Sequence, residues 1–481
     1  MTYTPLKEKH RQECPLAKKC GGCQLQNLSY ADQLAWKQRR VQRLIGRFCP
    51  VEPIRGMETP YHYRNKVQAA FGLDSRRRIV SGVYQSSTHR IVPVNSCMIE
   101  DKLADRIIVT IRNMMPAFKM QPYDERTGAG FLRHVLVKRG FATGQVMVVL
   151  VVSGPIFKYQ KPFVAKLLEQ HPEITTVVMN INDKFTSLVL GARENVLYGK
   201  GYIEDVLCGK TFRISPRSFY QINPLQTEVL YATAMEYAGL TGKETVLDAY
   251  CGTGTIGLIA SDRAGQVLGV ELNRDAVKDA IANARANRAK NIWFTAADAG
   301  EYMVDMARRK QAVDVVFMDP PRAGSDEKFL RSLLTLAPKR VVYISCNPET
   351  LARDLELLCR GGYRARVAQP VDMFPHTNHV ETVCLLSKLN AKQHIEVELN
   401  MDELDLTSAE SKATYEEIKE YVLEHTGLKV SHLYIAQVKR KHGIIERANY
   451  NLPKNEDSKQ PVCPPEKEKA IRSALKFFGM I

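Results

Sequence analysis

The spacing of apolar residues changes character three times along the chain. Between Leu28 and Arg47 it is helical. Leu34, Val41, Leu44 and Ile45 form a stripe, and Lys37, Arg39, Arg40 and Arg43 crowd the other faces. Ser29 and Asp32 stand at capping positions, so this stretch predicts a basic amphipathic helix. Residues 60–210 switch to short β-rich runs (VQAAFGL, GQVMVVLVV, TTVVMNI, TSLVLG) with turns and at least one helix, the pattern of an α+β domain. From about residue 212 strands and helices alternate, which predicts a doubly wound parallel sheet. The last ninety residues predict a small, mostly helical extension. Asp402 to Glu424 holds eight acids and two lysines, with Thr414 and Glu417 as a capping box, and Lys429 to Arg447 holds five bases and one acid. A final helix is expected over roughly Glu466 to Phe478, with Ile471, Leu475 and Phe478 on one side. The expected domains are therefore 1–58, 59–211, 212–390 and 391–481.

Composition adds class and partner. A chain of 481 residues that is 44% hydrophobic and 25% charged is an ordinary globular protein. Its N-terminus is polar, without the apolar core of a secretory signal. The longest apolar run, Val146 to Val152, is far short of the ~20 residues a bilayer requires. A cytoplasmic protein away from membranes is expected. The formal charge is +16, and residues 1–100 carry 17 Lys/Arg against 7 Asp/Glu, whereas residues 391–481 carry 14 against 15. A basic excess confined to the first 390 residues suits a phosphate backbone as partner.

Eleven cysteines in such a chain argue against a disulfide framework. Cys14, Cys20 and Cys23 form C-x5-C-x2-C, and Gly21 and Gly22 let the backbone fold tightly around a bound centre. Three thiolates on one loop, with a fourth from elsewhere, suit a cubane iron–sulfur cluster or a structural zinc. Spacing leaves the fourth ligand open among Cys49, Cys97 and Cys208.

The cofactor chemistry lies in the alternating half. The apolar strand Thr245–Ala249 runs into Tyr250-Cys251-Gly252-Thr253-Gly254-Thr255 and a helix, so glycines sit where a sheet of this type brings its backbone against a ligand. The next strand, VLGVELN, ends with Glu271, nineteen residues after Gly252, where a carboxylate can accept from both ribose hydroxyls. The turn lacks the third glycine of a dinucleotide fingerprint, which favours S-adenosylmethionine over NAD. Two further strand ends complete the crevice. VDVVFMDPPRAG places Asp319 at one, and RVVYISCNPET places Cys346 at the other, among polar and turn-forming neighbours.

Taken together, C-x5-C-x2-C, SPRSFYQINPLQTE, DAYCGTGT, GVELN, DPPRAG, SCNP and HVETV resemble the bacterial RNA (uracil-5-)-methyltransferases, and within them the iron–sulfur-containing 23S ribosomal RNA branch, over about residues 10–390. The resemblance implies an α/β fold. A Rossmann-like S-adenosylmethionine-dependent methyltransferase domain would follow an N-terminal iron–sulfur and α+β RNA-binding region. It implies a [4Fe–4S] cluster on Cys14, Cys20, Cys23 and Cys97, and a cofactor held by Gln221, Tyr250, Thr255, Glu271, Asp298 and Asp319. Cys346 would be the nucleophile and Glu381 the general base, in a monomer that methylates 23S ribosomal RNA. Two departures stand out. Thirteen residues before Cys14 leave no room for the small RNA-binding β-barrel of many members, and residues 391–481 have no counterpart in the usual pattern.

The chemistry explains the residue types. Carbon 5 of uracil becomes nucleophilic once a thiolate adds to carbon 6, and a base must then remove the carbon 5 proton before the thiolate leaves. The target base must be out of the stack. Three other readings compete: a transfer RNA uracil-5 enzyme, an RNA cytosine-5 enzyme and a catalytically silent iron–sulfur RNA-binding protein. A cytosine-5 enzyme usually places proline directly before its cysteine, whereas here proline follows Cys346 two residues later.

Overall fold

The computed structural model describes residues 14–389 except 86, 87, 89 and 187, together with 415–442 and 463–477. Two compact units divide the chain, one within residues 1–394 and one within 395–481.

The middle of the chain forms a seven-stranded sheet from β1 (Lys66–Leu73), β2 (Ile79–Tyr84), β3 (Ile91–Pro93), β4 (Leu132–Arg139), β5 (Val146–Val152), β6 (Ile174–Ile181) and β7 (Arg193–Tyr198), in the order β3-β2-β1-β4-β5-β6-β7. All pairs are antiparallel except β5 with β6. The unbroken apolar run of β5 follows from burial on both faces. Val146, Val148, Leu150 and Val152 pack on the helices Lys102–Met114 and Gln160–Gln170, whereas Met147, Val149 and Val151 join a core shared with strands of the carboxyl-terminal half, such as Val246, Val315 and Val342. The TSLVLG segment corrects the sequence reading, because it is a loop and the strand follows it at β7.

A hairpin of β8 (Ile203–Leu207) and β9 (Lys210–Ile214) leads to the second seven-stranded sheet. This contains β10 (Thr245–Ala249), β11 (Gln266–Glu271), β12 (Ile292–Ala296), β13 (Val315–Met318), β14 (Arg340–Ser345), β15 (Tyr363–Val371) and β16 (Glu381–Lys388), in the order β12-β11-β10-β13-β14-β16-β15. β10 to β14 are parallel, so their carboxyl ends share one edge. β16 runs against them between β14 and β15, with Ser345 opposite Thr382, and its first residue, Glu381, therefore lies at that same edge.

The helix Tyr30–Ile45 forms as its pattern predicts, with the Ser29 hydroxyl accepting from the Asp32 amide and Val41 and Ile45 fully buried. Lys37 departs from the expected polar face. It is wholly buried, 2.5 Å from Asp372 Oδ1 and 3.0 Å from the Phe374 carbonyl oxygen. The cause is the loop after β15, which covers that side of the helix.

In the C-terminal unit, helices Tyr415–Thr426, His432–Lys441 and Pro465–Phe477 enclose Ile418, Val422, Ile435, Val438, Ile471, Ala474 and Leu475. Thr414 and Phe478 of the expected capping box and stripe lie outside the described residues. Among the described residues, no helix is long and apolar enough to cross a membrane.

Candidate active site

The glycine turn after β10 is built from left-handed backbone at Tyr250 (φ 65°), Gly252 (φ 54°) and Gly254 (φ 79°). At Gly254 a Cβ would come within 2.6 Å of the Phe294 ring, so only glycine fits. Asp248, buried in β10, anchors the following helix by accepting from the Gly257 amide at 2.7 Å. Glu271 closes the turn from β11, accepting from the amides of Gly252 (3.1 Å) and Asn273 (2.8 Å). The Tyr250 ring packs on Phe329 at 4.7 Å, and Thr255 opens the helix after the turn. Asp298 caps the helix Ala299–Arg308, accepting from the Glu301 amide at 2.9 Å. Gln221 enters from the segment after β9. Its carbonyl accepts from Asn65 Nδ2 at 3.0 Å, and its side chain bonds the Tyr231 hydroxyl.

The other end of the crevice gathers Asp319, Cys346 and Glu381 with Arg322. Burial pushes the Glu381 carboxyl up to about 8, with the Asp319 charge adding to the rise and Arg322 opposing it. Asp319 rises to about 7 through burial alone, and Asp248 to about 7 through burial reinforced by Asp319 and Glu271. Burial raises the Cys346 thiol to about 11, with Glu381 and Asp319 adding and Arg322 opposing. The arrangement is a thiol near a carboxyl that holds its proton near neutrality, with one cation acting on both.

Sequence reasoning missed Asp248, Tyr231 and Arg322. Tyr231 is buried, and its neighbours include Asp319, Asp248 and Glu381. A carboxylate inside the apolar run TVLDA and an arginine inside DPPRAG were the available signals. Tyr231, in an apolar helix, offered none.

The loop Asp372–His379 that leads into Glu381 is held from several sides. The Tyr30 hydroxyl donates to Asp372 Oδ2 (2.9 Å), Tyr63 to the Pro375 carbonyl (3.0 Å) and Asn223 to the Met373 carbonyl (3.0 Å). The His376 amide donates to Gln33 Oε1 (2.8 Å), and His376 itself takes a left-handed φ of 70°.

Cys14, Cys20, Cys23 and Cys97 are free thiols, each partly buried. Cys23 and Cys97 pack against Met57, Tyr63 and Ile99. Burial raises Cys23 to about 12, with Cys20 and Cys14 adding to the effect. Burial likewise raises Cys97 to about 12, Glu100 adds, and the Ile99 and Glu100 amides donate to its sulfur. Among the described residues no three Cys, His, Asp or Glu side chains converge tightly enough for one metal ion. Tetrahedral zinc at ~2.3 Å from each sulfur holds its thiolates only ~3.8 Å apart. The charges of Cys20 and Cys14 both act on Cys23, and Cys97 packs in the same small apolar cluster as Cys23. Cys49 belongs to a different core, and Cys208 packs against the core around the catalytic sheet.

Residues 179–389 match the tRNA (uracil-5-)-methyltransferase family. The chain is 43% identical over 382 residues to an uncharacterised RNA methyltransferase of Halalkalibacterium halodurans, covering 78% of this chain and 83% of the relative. It is 44% identical over 377 residues to a protein of the same description from Listeria monocytogenes, with 78% and 83% covered. Among solved structures it resembles the tRNA (uracil-54, C5)-methyltransferase of Pyrococcus abyssi, which is in complex with S-adenosyl-L-homocysteine. The TM-score is 0.63 at 28% identity, over 76% of this chain and 85% of that one.

Proposed function

The chain belongs to the S-adenosylmethionine-dependent RNA (uracil-5-)-methyltransferase family, and from that premise we propose that it makes 5-methyluridine in 23S ribosomal RNA, with Cys346 as nucleophile and Glu381 as base. The observation that supports this reading is the insertion of β16 against β14, which sets Ser345 opposite Thr382, so that Cys346 and Glu381, one residue beyond each, lie at one strand edge.

Gln221, Tyr250, Thr255, Glu271, Asp298 and Asp319 would hold the cofactor along the crevice. Bound S-adenosylmethionine supplies an electrophilic methyl on a cationic sulfur, a charge that also offsets the acids around Cys346. The Cys346 thiolate would form a bond to carbon 6 and drive the electron pair to carbon 5, which takes the methyl as the methyl–sulfur bond breaks and S-adenosyl-L-homocysteine leaves. Glu381 then accepts the carbon 5 proton, the bond between carbon 6 and sulfur breaks, and Cys346 leaves as thiolate. Arg322, facing both groups, favours their ionised forms. The middle domain, residues 59–211, would carry much of the RNA contact, and Cys14, Cys20, Cys23 and Cys97 would hold a [4Fe–4S] cluster. Anaerobically purified protein is then expected to contain iron and acid-labile sulfide in equal amounts, and stoichiometric zinc without sulfide would overturn the cluster.

The test of substrate is nucleoside mass spectrometry of in vitro transcribed 23S ribosomal RNA and transfer RNA after incubation with S-adenosylmethionine. The expected product is 5-methyluridine in the ribosomal transcript. Methylation of transfer RNA alone would replace the substrate, and 5-methylcytidine would replace the target base.

A further inference from the structure

Lys66 begins β1, and Lys138 lies directly opposite it on β4. Like charges in facing cross-strand positions destabilise a sheet. Burial makes this pair worse, since Lys138 is 5% exposed and Lys66 is half-buried. Among the described residues neither ammonium has an ion-pair partner. Arg64, two residues before Lys66, adds a third positive charge, while Glu194 and Asp279 act on Lys138 only from beyond hydrogen-bond reach. Burial and the Lys66 charge together pull Lys138 down to about 7.

The unused bonds point one way. Lys138 donates to the carbonyls of Ser215 (2.8 Å) and Ser218 (2.9 Å), which leaves one of its three N–H groups. Lys66 makes no side-chain hydrogen bond among the described residues. Between them lies a small cavity lined by Asn65, Lys66, Lys138, Arg139, Ile214 and Tyr220. Arg139 is already committed to Asp101 at 2.6 Å. The cavity adjoins the segment that delivers Gln221, whose carbonyl Asn65 holds. A sheet that breaks its own charge rule beside an active crevice marks a functional site, and an anion with charge-assisted hydrogen bonds to both ammonium groups would repair it.

We propose that Lys66 and Lys138 bind a phosphate group, namely a phosphodiester of the RNA strand that enters the crevice. The proposal rests on the RNA methyltransferase reading and extends it to a named anchor for the RNA backbone. The phosphate fixes the strand at the root of the Gln221 segment, so RNA binding and the cofactor side of the crevice meet through one loop.

The test uses the full-length protein with bound S-adenosyl-L-homocysteine and a labelled short oligouridylate, titrated at several salt concentrations. Lys66, which makes no internal hydrogen bond, is the informative position. Lys66→Met is expected to weaken binding about tenfold and to lower the salt slope by about one, as loss of one phosphate contact should. Lys66→Arg should keep both near wild type. Equal affinity and slope in wild type and Lys66→Met would overturn the site. In a second arm, inorganic phosphate is titrated against both proteins. Phosphate that binds in a Lys66-dependent way without displacing oligouridylate would assign the site to a free anion and overturn the RNA assignment. A changed slope in a protein that forms no 5-methyluridine would sink the proposed reaction and leave the phosphate site standing.

Discussion

The middle sheet and the catalytic sheet have seven strands each, yet the charged groups they bury differ in sign. The catalytic sheet hides Asp248 and Glu381 and half-hides Asp319, whereas the middle sheet hides Arg133, His134 and Lys138. Burial drives both sets toward neutrality, lifting the acids to about 7 or 8 and lowering His134 to about 4 and Lys138 to about 7. Their partners explain the division. The middle sheet satisfies its cations with carbonyl oxygens, as where Arg133 donates to Asn182 and Lys184 at 2.9 and 2.8 Å. Lys138 likewise donates to the Ser215 and Ser218 carbonyls at 2.8 and 2.9 Å. The catalytic sheet instead clusters acids near the Cys346 thiol, each lifted by burial.

The largest expected effect lies on the acidic side. Cys346→Ala should lower turnover by about four orders of magnitude and form no covalent protein–RNA adduct on denaturing gels. Glu381→Gln should instead accumulate a methyl-labelled adduct, because the carbon 5 proton has no acceptor. Near-normal turnover in Cys346→Ala would remove the nucleophile assignment.

Next in size is the buried pair that unites both signs. Lys37→Met should destabilise the protein by about 3–5 kcal/mol, by leaving Asp372 uncompensated, while Lys37→Met with Asp372→Leu should recover most of that loss. Thermal unfolding of both single variants and the double variant measures this, and a double-variant loss equal to the sum of the two single losses would show that the pair is not coupled.

Asp319→Ala is expected to weaken S-adenosyl-L-homocysteine about tenfold, a loss of the size of one charged hydrogen bond, with RNA affinity kept. Calorimetry decides, and unchanged cofactor affinity would separate Asp319 from the crevice.

A pH profile tests the Glu381 carboxyl without any substitution. The fold holds Glu381 at about 8, above its ordinary 4.5, so below about 8 the base is mostly protonated. Resolution of the adduct should therefore rise by about tenfold per pH unit below that point and level off above it. The same shift makes Glu381 stabilising at low pH, a contribution lost as pH rises from 4.5 toward about 8. A flat rate between pH 6 and about 8 would place the proton acceptor elsewhere.

Much of the catalytic half was legible because parallel strands buried on both faces read as apolar runs whose ends are marked by Gly252, Asp319 and Cys346. Other features depended on contacts that periodicity does not record. TSLVLG is apolar yet loops, because Asn182 Nδ2 bonds the Leu188 and Val189 carbonyls and Asn180 bonds Gly191, replacing ladder bonds with side-chain ones. The true strand, Arg193–Tyr198, is a mostly exposed edge and so lacks an apolar pattern. Helical spacing defined the faces of Tyr30–Ile45 but not the loop that buries Lys37. Glu381 had only its chain position, and its place in the crevice depends on β16 running against its neighbours.

Lys37 and Asp372 meet across 335 residues of sequence. A ribosome adding ~5–20 residues per second needs on the order of half a minute to make that interval. Throughout it, the helix Tyr30–Ile45 has emerged without the carboxylate that neutralises its lysine or the loop that Tyr30 and Gln33 bind. That helix therefore cannot make its contacts with Asp372 and His376 until those residues have been made. The synthesis of β15 and the loop beyond it thus sets the earliest moment at which this helix can be fastened.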